Sequence, residues 1–336
     1  MINRDNCVAV MGFLRYQEEV LQHDPRTVDR NRLWLKHLLR WADAEAFINA
    51  PNIRHIYPRH LLTVRHGSQD KALGPTGVRR ACQMARAFFK WLEIRRRKYT
   101  NLTLEWIATI QPPRMAVEPP TERQIVTLDT VRELLRVPDD GSLVIRRDKV
   151  AAAFLYFYGA RSSAFCSLSL DCVDITNRTV YQYPTRWVRT KNNKAAVTRL
   201  LEIQDLLEEV LEWDDHIRAG LPSSAVWYTV LSEFDGRLTD AKPGLYRHKK
   251  MRKSLCGLFM RAGLSPMSPH KFRHGHAVYG LKQAKDIGDF KAVSMNLMHS
   301  SLGITDSIYA VFSDNDVKER IARLGQIDKS RSTDKD

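Results

Sequence analysis

Apolar residues recur at three- and four-residue steps along much of the first hundred residues, the spacing of helices that bury one face. The clearest stretch runs from residue 75 to residue 97, and its apolar face consists of Val78, Ala81, Ala85, Phe88 and Leu92. Two earlier stretches, 8–20 and 27–42, follow the same spacing, and Thr27 is the predicted N-cap of the second. The pattern predicts a helical domain over residues 1–110.

A proline-rich segment follows. It contains Pro112-Pro113 and Pro119-Pro120. Proline lacks the backbone donor of a helix and clashes with the preceding turn, so residues 111–121 are predicted to form an extended linker between two domains.

The second half of the chain contains segments with the spacing of helices and segments typical of strands. Thr127 is the predicted N-cap of one helix, and residues 151–158 form a wholly apolar helix. Residues 179–189 and 196–203 are rich in β-branched and aromatic side chains, and the turn residues Asn192-Asn193 lie between them, which predicts a strand pair. Further helices are predicted at 204–219, 249–262, 270–281 and 317–324. The predicted fold is mainly α with a small antiparallel β-sheet in a second domain, residues 122–326, before a polar tail at 327–336.

The charge of the chain indicates a polyanionic partner. Its 336 residues carry a formal net charge of +15, and its pI is about 9.7. The basic residues are spread along the chain and form no single juxtamembrane cluster, which favours nucleic acid over a membrane surface. Four cations share a second face of the helix predicted at 75–97: Arg79, Arg86, Lys90 and Arg97. This face is either solvated or in contact with DNA phosphates.

Other sequence features argue against a zinc protein, a secreted protein and a membrane-spanning protein. The five cysteines show no repeated Cys-x-x-Cys spacing and no histidines at ligand spacing, so no zinc site is expected. The N-terminus does not resemble a signal peptide, and no segment approaches the roughly 18 apolar residues of a membrane span. We expect a cytoplasmic, nucleoid-associated protein without a cofactor.

Arg161 and a His-x-x-Arg pair are the first candidates for the chemistry. Arg161 follows the apolar helix, and a guanidinium there needs an anion. A bound phosphate is favoured over an internal carboxylate, because the nearest acid downstream is Asp171. His270 and Arg273 lie one turn apart in a helix introduced by Ser268-Pro269, near an N-terminus whose amides attract anions. His-x-x-Arg also occurs at residues 23–26 and 37–40, so only order and context distinguish this copy.

The remaining candidates are lysines and a tyrosine. Lys191 and Lys194 lie at the predicted hairpin turn, where a lysine could protonate a leaving 5′-oxygen. We choose Lys191 for this role and Lys194 as a DNA contact, although the spacing does not separate them. Among eleven tyrosines, Tyr309 stands out because it follows His299-Ser300-Ser301. Tyr279 is the main competitor, but its apolar helix neighbours indicate burial.

With these residues in place, the chain resembles the tyrosine recombinase (phage integrase) family, and Leu297-Met298-His299-Ser300-Ser301 is similar to the family's Leu-Gly-His-Ser-Ser segment. The resemblance implies a helical core-site DNA-binding (SAM-like) domain and a catalytic domain that form a C-shaped clamp. It also implies a 3′-phosphotyrosine intermediate that needs neither ATP nor a metal. The expected partners are duplex DNA with specific core sites, three further protomers in a tetramer on two duplexes (monomer or dimer before synapsis), and accessory proteins. Catalytic roles fall on six residues: Arg161, Lys191, His270, Arg273, His299 and Tyr309.

The chain departs from the family pattern at three positions. Ala164 replaces an acid, Met298 replaces a glycine, and Tyr309 lies about one residue later than usual. Two other functions stay open, namely a type IB topoisomerase and a catalytically inactive DNA-binding regulator of a mobile element. A metal-dependent nuclease is disfavoured, because no cluster of acids accompanies the cations.

Overall fold

A computed structural model describes residues 2–53, 57, 63–66, 69–95, 97–113, 124–244 and 246–299. The chain divides into two compact units, residues 1–119 and 120–336. The fold is mainly helical with small antiparallel sheets, as predicted. In the part of the chain that is described, no helix is both long enough and apolar enough to cross a membrane. The C-shaped arrangement of two domains stays a prediction.

Among its described residues, the first unit has four α-helices, two 3-10 helices and one antiparallel strand pair. Its elements are α1 (Arg4–Glu19), α2 (Pro25–Ala42), a 3-10 helix (Phe47–Asn52), β1 (Thr63–His66), β2 (Gln69–Ala72), α3 (Pro75–Arg95), a 3-10 helix (Arg97–Tyr99) and α4 (Leu104–Ala108). The five apolar residues predicted for α3 are all buried in its core. The rings of Phe13, Phe47 and Trp91 gather around Phe88. An aromatic core therefore joins α1 and α3.

Three details of this unit differ from the sequence predictions. The N-cap of α2 is Asp24, not Thr27: the Asp24 carboxylate accepts from the Arg26 N–H, and Pro25 occupies the first helical position. Proline is favoured there because its fixed φ suits the helix and its missing donor is not needed. The antiparallel pair β1–β2 was not predicted, and α3 ends at Arg95, so Arg97 lies beyond it.

The second unit surrounds one central helix. Its elements are α5 (Leu128–Leu135), α6 (Leu143–Tyr158), α7 (Ser162–Phe165), β3 (Val173–Asp174), β4 (Thr179–Gln182), β5 (Ala196–Arg199), α8 (Gln204–Gly220), β6 (Val230–Leu231), β7 (Leu238–Thr239), α9 (Arg247–Arg261), α10 (Pro269–Gln283) and α11 (Ile287–Asn296). Helix α6 is the predicted apolar helix, and its residues 151–158 are all buried. Because α5, α8, α9 and α10 all pack against α6, its C-terminal half, residues 151–158, is apolar on every side. Thr127 caps α5, as predicted.

The sheet has the order β3-β4-β5 and is antiparallel throughout. Both predicted strands exist but are shorter than expected. Strand β4 ends at Gln182, and the 3-10 turn Pro184–Arg186 follows it. Proline at this point has no donor for the ladder. The connection to β5 is therefore a loop, residues 183–195, and not a tight hairpin. Neither β3 nor α11 was predicted, and the helix predicted at 317–324 lies outside the described residues.

Candidate active site

The end of α6 positions Arg161. Gly159 adopts a left-handed conformation, φ 67°, and its N–H bonds the Leu155 carbonyl, which ends the helix. A Cβ on Gly159 would lie 2.5 Å from Cδ2 of the His276 ring, so glycine is required both for the turn and for this close approach. Arg161 comes two residues later, at the N-cap of α7.

Helix α10 brings Arg273 to the same turn. Ser268 precedes the helix, and Pro269 is its first residue. Arg273 is buried, with 3% of the residue exposed. It donates from Nη1 to the Gly159 carbonyl at 2.7 Å and from Nη2 to the Leu297 carbonyl. Nη2 also lies 3.1 Å from Nε2 of His299. These three neutral partners fix the orientation of a cation that has been taken out of water.

The C-terminus of α11 presents His299. The His299 N–H bonds the Ser294 carbonyl and the Met298 N–H bonds the Met295 carbonyl, which is the Schellman pattern of a helix end. This pattern needs a left-handed residue just before His299, and Met298 adopts φ 54°. The glycine that the family has at this position is thus explained by geometry, and methionine here takes up a strained conformation.

The contact with Arg273 fixes the tautomer of His299. Arginine has only donors, so Nε2 of His299 must accept, and the neutral ring then carries its proton on Nδ1. Desolvation, followed by the positive charges of Arg273 and Arg161, lowers the pKa of His299 to about 4. His299 is therefore a neutral donor at physiological pH.

His270 completes a group of four. It is exposed, one turn before Arg273, and its ring meets that of His274 edge to face at 4.4 Å between centroids. Desolvation lowers the pKa of His270, and the charges of Arg273, Arg161 and Lys271 lower it further. The structure thus brings Arg161, His270, Arg273 and His299 together, and both imidazoles are neutral at pH 7.

The two lysines lie on the loop between β4 and β5. Lys191 begins a turn in which Asn192 and Asn193 have positive φ, as their turn chemistry predicted. Lys191 and Lys194 are both exposed. No described hydrogen bond ties either lysine to the group of four, and the choice between them stays a prediction.

Asn296 joins the lysine loop to the histidine segment. Its Oδ1 accepts from the Arg199 N–H at 2.7 Å, and its Nδ2 donates to the Arg199 carbonyl at 2.9 Å. The side chain thus extends the edge of β5 as a strand would. Strand β5 follows the Lys191 turn, and Asn296 stands three residues before His299. Sequence reasoning missed this residue, because an asparagine at a helix end gives no local signal of such pairing.

Tyr309, the predicted nucleophile, lies outside the described residues, as does the side chain of Arg97. On α3, Arg79 and Lys90 are exposed and Arg86 is half-buried. The sequence analysis did not single out two further basic faces, although their cations recur at helical spacing and could have indicated both. The exposed cations are Arg32, Lys36 and Arg40 on α2, and Lys249, Arg252 and Lys253 on α9. Within the described ranges, no group of three or more histidine, cysteine or acidic side chains is arranged to hold a metal ion.

Comparison with known proteins places this site in context. The model of the phage integrase family matches residues 124–316, more than half of the chain. The tyrosine recombinase XerC of Xanthomonas campestris pv. campestris is 24% identical over 298 residues, which cover 88% of this chain and 82% of the relative. The tyrosine recombinase XerD of Pseudomonas putida is 25% identical over 244 residues, 70% of this chain and 71% of the relative.

Solved structures show the same fold. The Tn1549 transposon integrase in complex with circular intermediate DNA superimposes with a TM-score of 0.57 at 14% identity, covering 94% of this chain and 98% of that one. A lambda integrase dimer bound to a COC′ core site gives a TM-score of 0.58 at 12% identity, with coverages of 90% and 94%.

Proposed function

Because the chain belongs to the phage integrase family of tyrosine site-specific recombinases, we propose that it cleaves and rejoins DNA through a 3′-phosphotyrosine intermediate on Tyr309, without ATP or a metal. The observation that carries this proposal is the buried guanidinium of Arg273, which two backbone carbonyls and a neutral imidazole orient beside Arg161. Two guanidiniums and two neutral imidazoles make a positive site rich in donors, and a DNA phosphate is the anion that suits it.

The transition state gains more from these groups than the ground state does. Attack on phosphorus adds negative charge to the non-bridging oxygens, which the guanidiniums of Arg161 and Arg273 and the Nδ1–H of His299 bind. Donors fixed in advance for such charge are worth roughly 10²–10³ in rate each. Since two main-chain carbonyls and the His299 ring accept from Arg273, its guanidinium is already oriented before DNA arrives.

The proton transfers fall to the remaining residues. The phenolic oxygen of Tyr309 forms a bond to phosphorus while the bond from phosphorus to the 5′-oxygen breaks. The phenol proton passes to His270, whose lowered pKa keeps its ring neutral and able to accept. Lys191 protonates the 5′-oxygen. The reverse sequence, with a 5′-hydroxyl from another strand, rejoins the DNA, and each step exchanges one phosphate ester for another.

The basic faces of α2 and α3 in the first unit, and of α9 in the second, would contact the DNA backbone. Their cations contact phosphates without reading the sequence, so binding should weaken steeply with added salt. Exchange of two strand pairs would need four protomers on two duplexes.

The adduct itself tests the proposal. Nicked duplexes that cover the DNA flanking the gene should trap a protein–DNA adduct that survives denaturation. Tyr309→Phe should abolish the adduct, whereas Tyr279→Phe, on α10 beside Tyr156, should retain it. An adduct that persists in Tyr309→Phe would refute the assignment. Equal cleavage of unrelated supercoiled DNA would point to a type IB topoisomerase, and binding without any adduct to an inactive regulator.

A sulfur substitution separates the two lysines. A 5′-bridging sulfur leaves as a thiolate and does not need a general acid. Lys191→Ala should therefore cleave the oxygen substrate slowly and the sulfur substrate at nearly the normal rate. Lys194→Ala is the matched control and should weaken DNA binding alone. The opposite pattern would assign the general acid to Lys194.

A further inference from the structure

Trp187 is placed where folding gains little from it. It follows the turn Pro184–Arg186, and its indole is 87% exposed. Its backbone is left-handed, φ 64°, a conformation that costs a bulky L-residue energy. The turn is nevertheless well fixed, because the Trp187 N–H bonds the Pro184 carbonyl and the next residue, Val188, is buried. The loop thus holds an indole out in water in a defined position.

A cavity of about 700 Å³ opens beside this indole. Three cations line it, Arg186, Arg189 and Lys242, against a single carboxylate, Asp171. Serine and threonine hydroxyls complete the wall. The volume lies within the range of small-molecule sites, and the charge favours an anion.

Two buried arginines lie near Cys166, the residue next to Ser167 of the cavity wall. Arg147 and Arg247 lie over the Tyr228 ring at 4.5 and 4.7 Å. Asp148 accepts hydrogen bonds from Arg147 and brings one negative charge against the two positive ones. Burial raises the pKa of Cys166 to about 12, while the charges of Arg247, Arg147 and Arg189 act to lower it.

We propose that this cavity binds one unpaired nucleotide of the DNA substrate, with its base against Trp187 and its phosphate at Arg186, Arg189 and Lys242. An exposed aromatic ring among cations is the chemistry that proteins use for single-stranded nucleic acid. A phosphate of intact duplex would engage the cations but leave the indole in water, since duplex bases stack on one another.

The position of the loop indicates where in the DNA the unpaired nucleotide would lie. Trp187 and Arg189 stand four and two residues before Lys191, the proposed general acid for the 5′-oxygen. This inference rests on the proposed function: strand exchange requires base pairs beside the cut to open. Each opened pair costs stacking energy, and a pocket for the freed base lowers that cost.

Binding of a tailed duplex tests the proposal. The probes are a duplex with a short single-stranded thymidine tail and the same duplex with blunt ends, titrated against the full chain and followed by fluorescence anisotropy. The wild type should prefer the tailed probe. Trp187→Gly, which suits the left-handed backbone, should reduce that preference roughly tenfold and leave blunt-end affinity unchanged. Trp187→Phe keeps an aromatic face and should retain most of the preference.

Phe234→Ala is the matched control. Phe234 is 99% exposed on the turn between β6 and β7, but its neighbours are Glu233 and Asp235. Its removal should change neither affinity. A 2-aminopurine in the tail reports the stacking directly: its fluorescence should be quenched by the wild type and not by Trp187→Gly.

Two results with Trp187→Gly would overturn the proposal. Equal weakening of the tailed and blunt probes in Trp187→Gly would show an ordinary duplex contact, and unchanged affinities would show that the cavity holds no base. Measuring adduct formation at Tyr309 as well shows whether a failed result contradicts the cavity or the proposed function. If the wild type shows no tail preference but forms the adduct, only the cavity is wrong. If it prefers the tail but forms no adduct, only the recombination chemistry is wrong.

Discussion

Gly159→Ala should damage the protein in two separable ways. The left-handed backbone destabilises an alanine by about 1–2 kcal/mol. About 0.4–1 kcal/mol of this is offset, because alanine lowers the conformational entropy of the unfolded chain. The new Cβ would also lie 2.5 Å from the buried His276 ring. Overpacking of this kind costs about 1–3 kcal/mol. We expect a total loss of about 2–4 kcal/mol in the free energy of unfolding.

Gly141 supplies the matched control. Its φ is 77°, but a Cβ at this position would have no other atom within 4 Å. Gly141→Ala should therefore show the backbone cost alone, about 1 kcal/mol. Urea unfolding of the two variants measures the clash as their difference. His276→Ala in the Gly159→Ala background makes room for the methyl group, so the double variant should lose less stability than the sum of the single ones.

Activity should fall further than stability in this variant. The Gly159 carbonyl accepts from Nη1 of Arg273 at 2.7 Å, so a shift of this turn moves the guanidinium. Under conditions in which Gly159→Ala remains folded, formation of the Tyr309 adduct should drop by roughly tenfold or more, whereas Gly141→Ala should react normally. Equal stability of the two variants, or normal cleavage by folded Gly159→Ala, would refute the reasoning.

Three further changes test neighbouring parts of the site. Met298→Gly should raise the free energy of unfolding by about 0.5–1 kcal/mol in urea, because it relieves a left-handed methionine; a loss would contradict the Schellman geometry. Asn296→Leu should slow adduct formation and lower the free energy of unfolding by about 1–3 kcal/mol, because the backbone N–H and carbonyl of Arg199 both lose the Asn296 side chain as their partner. An unchanged rate would show that this link is dispensable. Burial lowers the pKa of His276 from 6.5 to about 4. The unfolded chain therefore binds more protons, and stability should fall as pH drops from 6.5 towards 4, but should stay flatter in His276→Phe.

The sequence predicts helices well where one face is buried. The apolar face of α3 and the wholly apolar segment 151–158 of α6 both follow from side-chain spacing. Prediction fails where a short element depends on its neighbours. Strand β3 has two residues and exists because β4 pairs with it. Helix α11 exposes most of its residues, and its contact with α10 rests on the small cluster of Ala277, Leu281 and Leu297.

In the candidate site, the functional side chains could be predicted, but the hydrogen bonds that hold them together could not. Arg161, His270, Arg273 and His299 could be chosen from the sequence, because charge and order distinguish them. The acceptors that join them could not, since the carbonyls of Gly159 and Leu297 belong to the backbone that every residue shares. One guanidinium binds the end of α6 and the end of α11 at once, so the position of each segment depends on the other two. A lysine at position 273 would keep the charge but lose the planar fork that reaches both carbonyls. The site is therefore held together by geometry that only the folded chain contains.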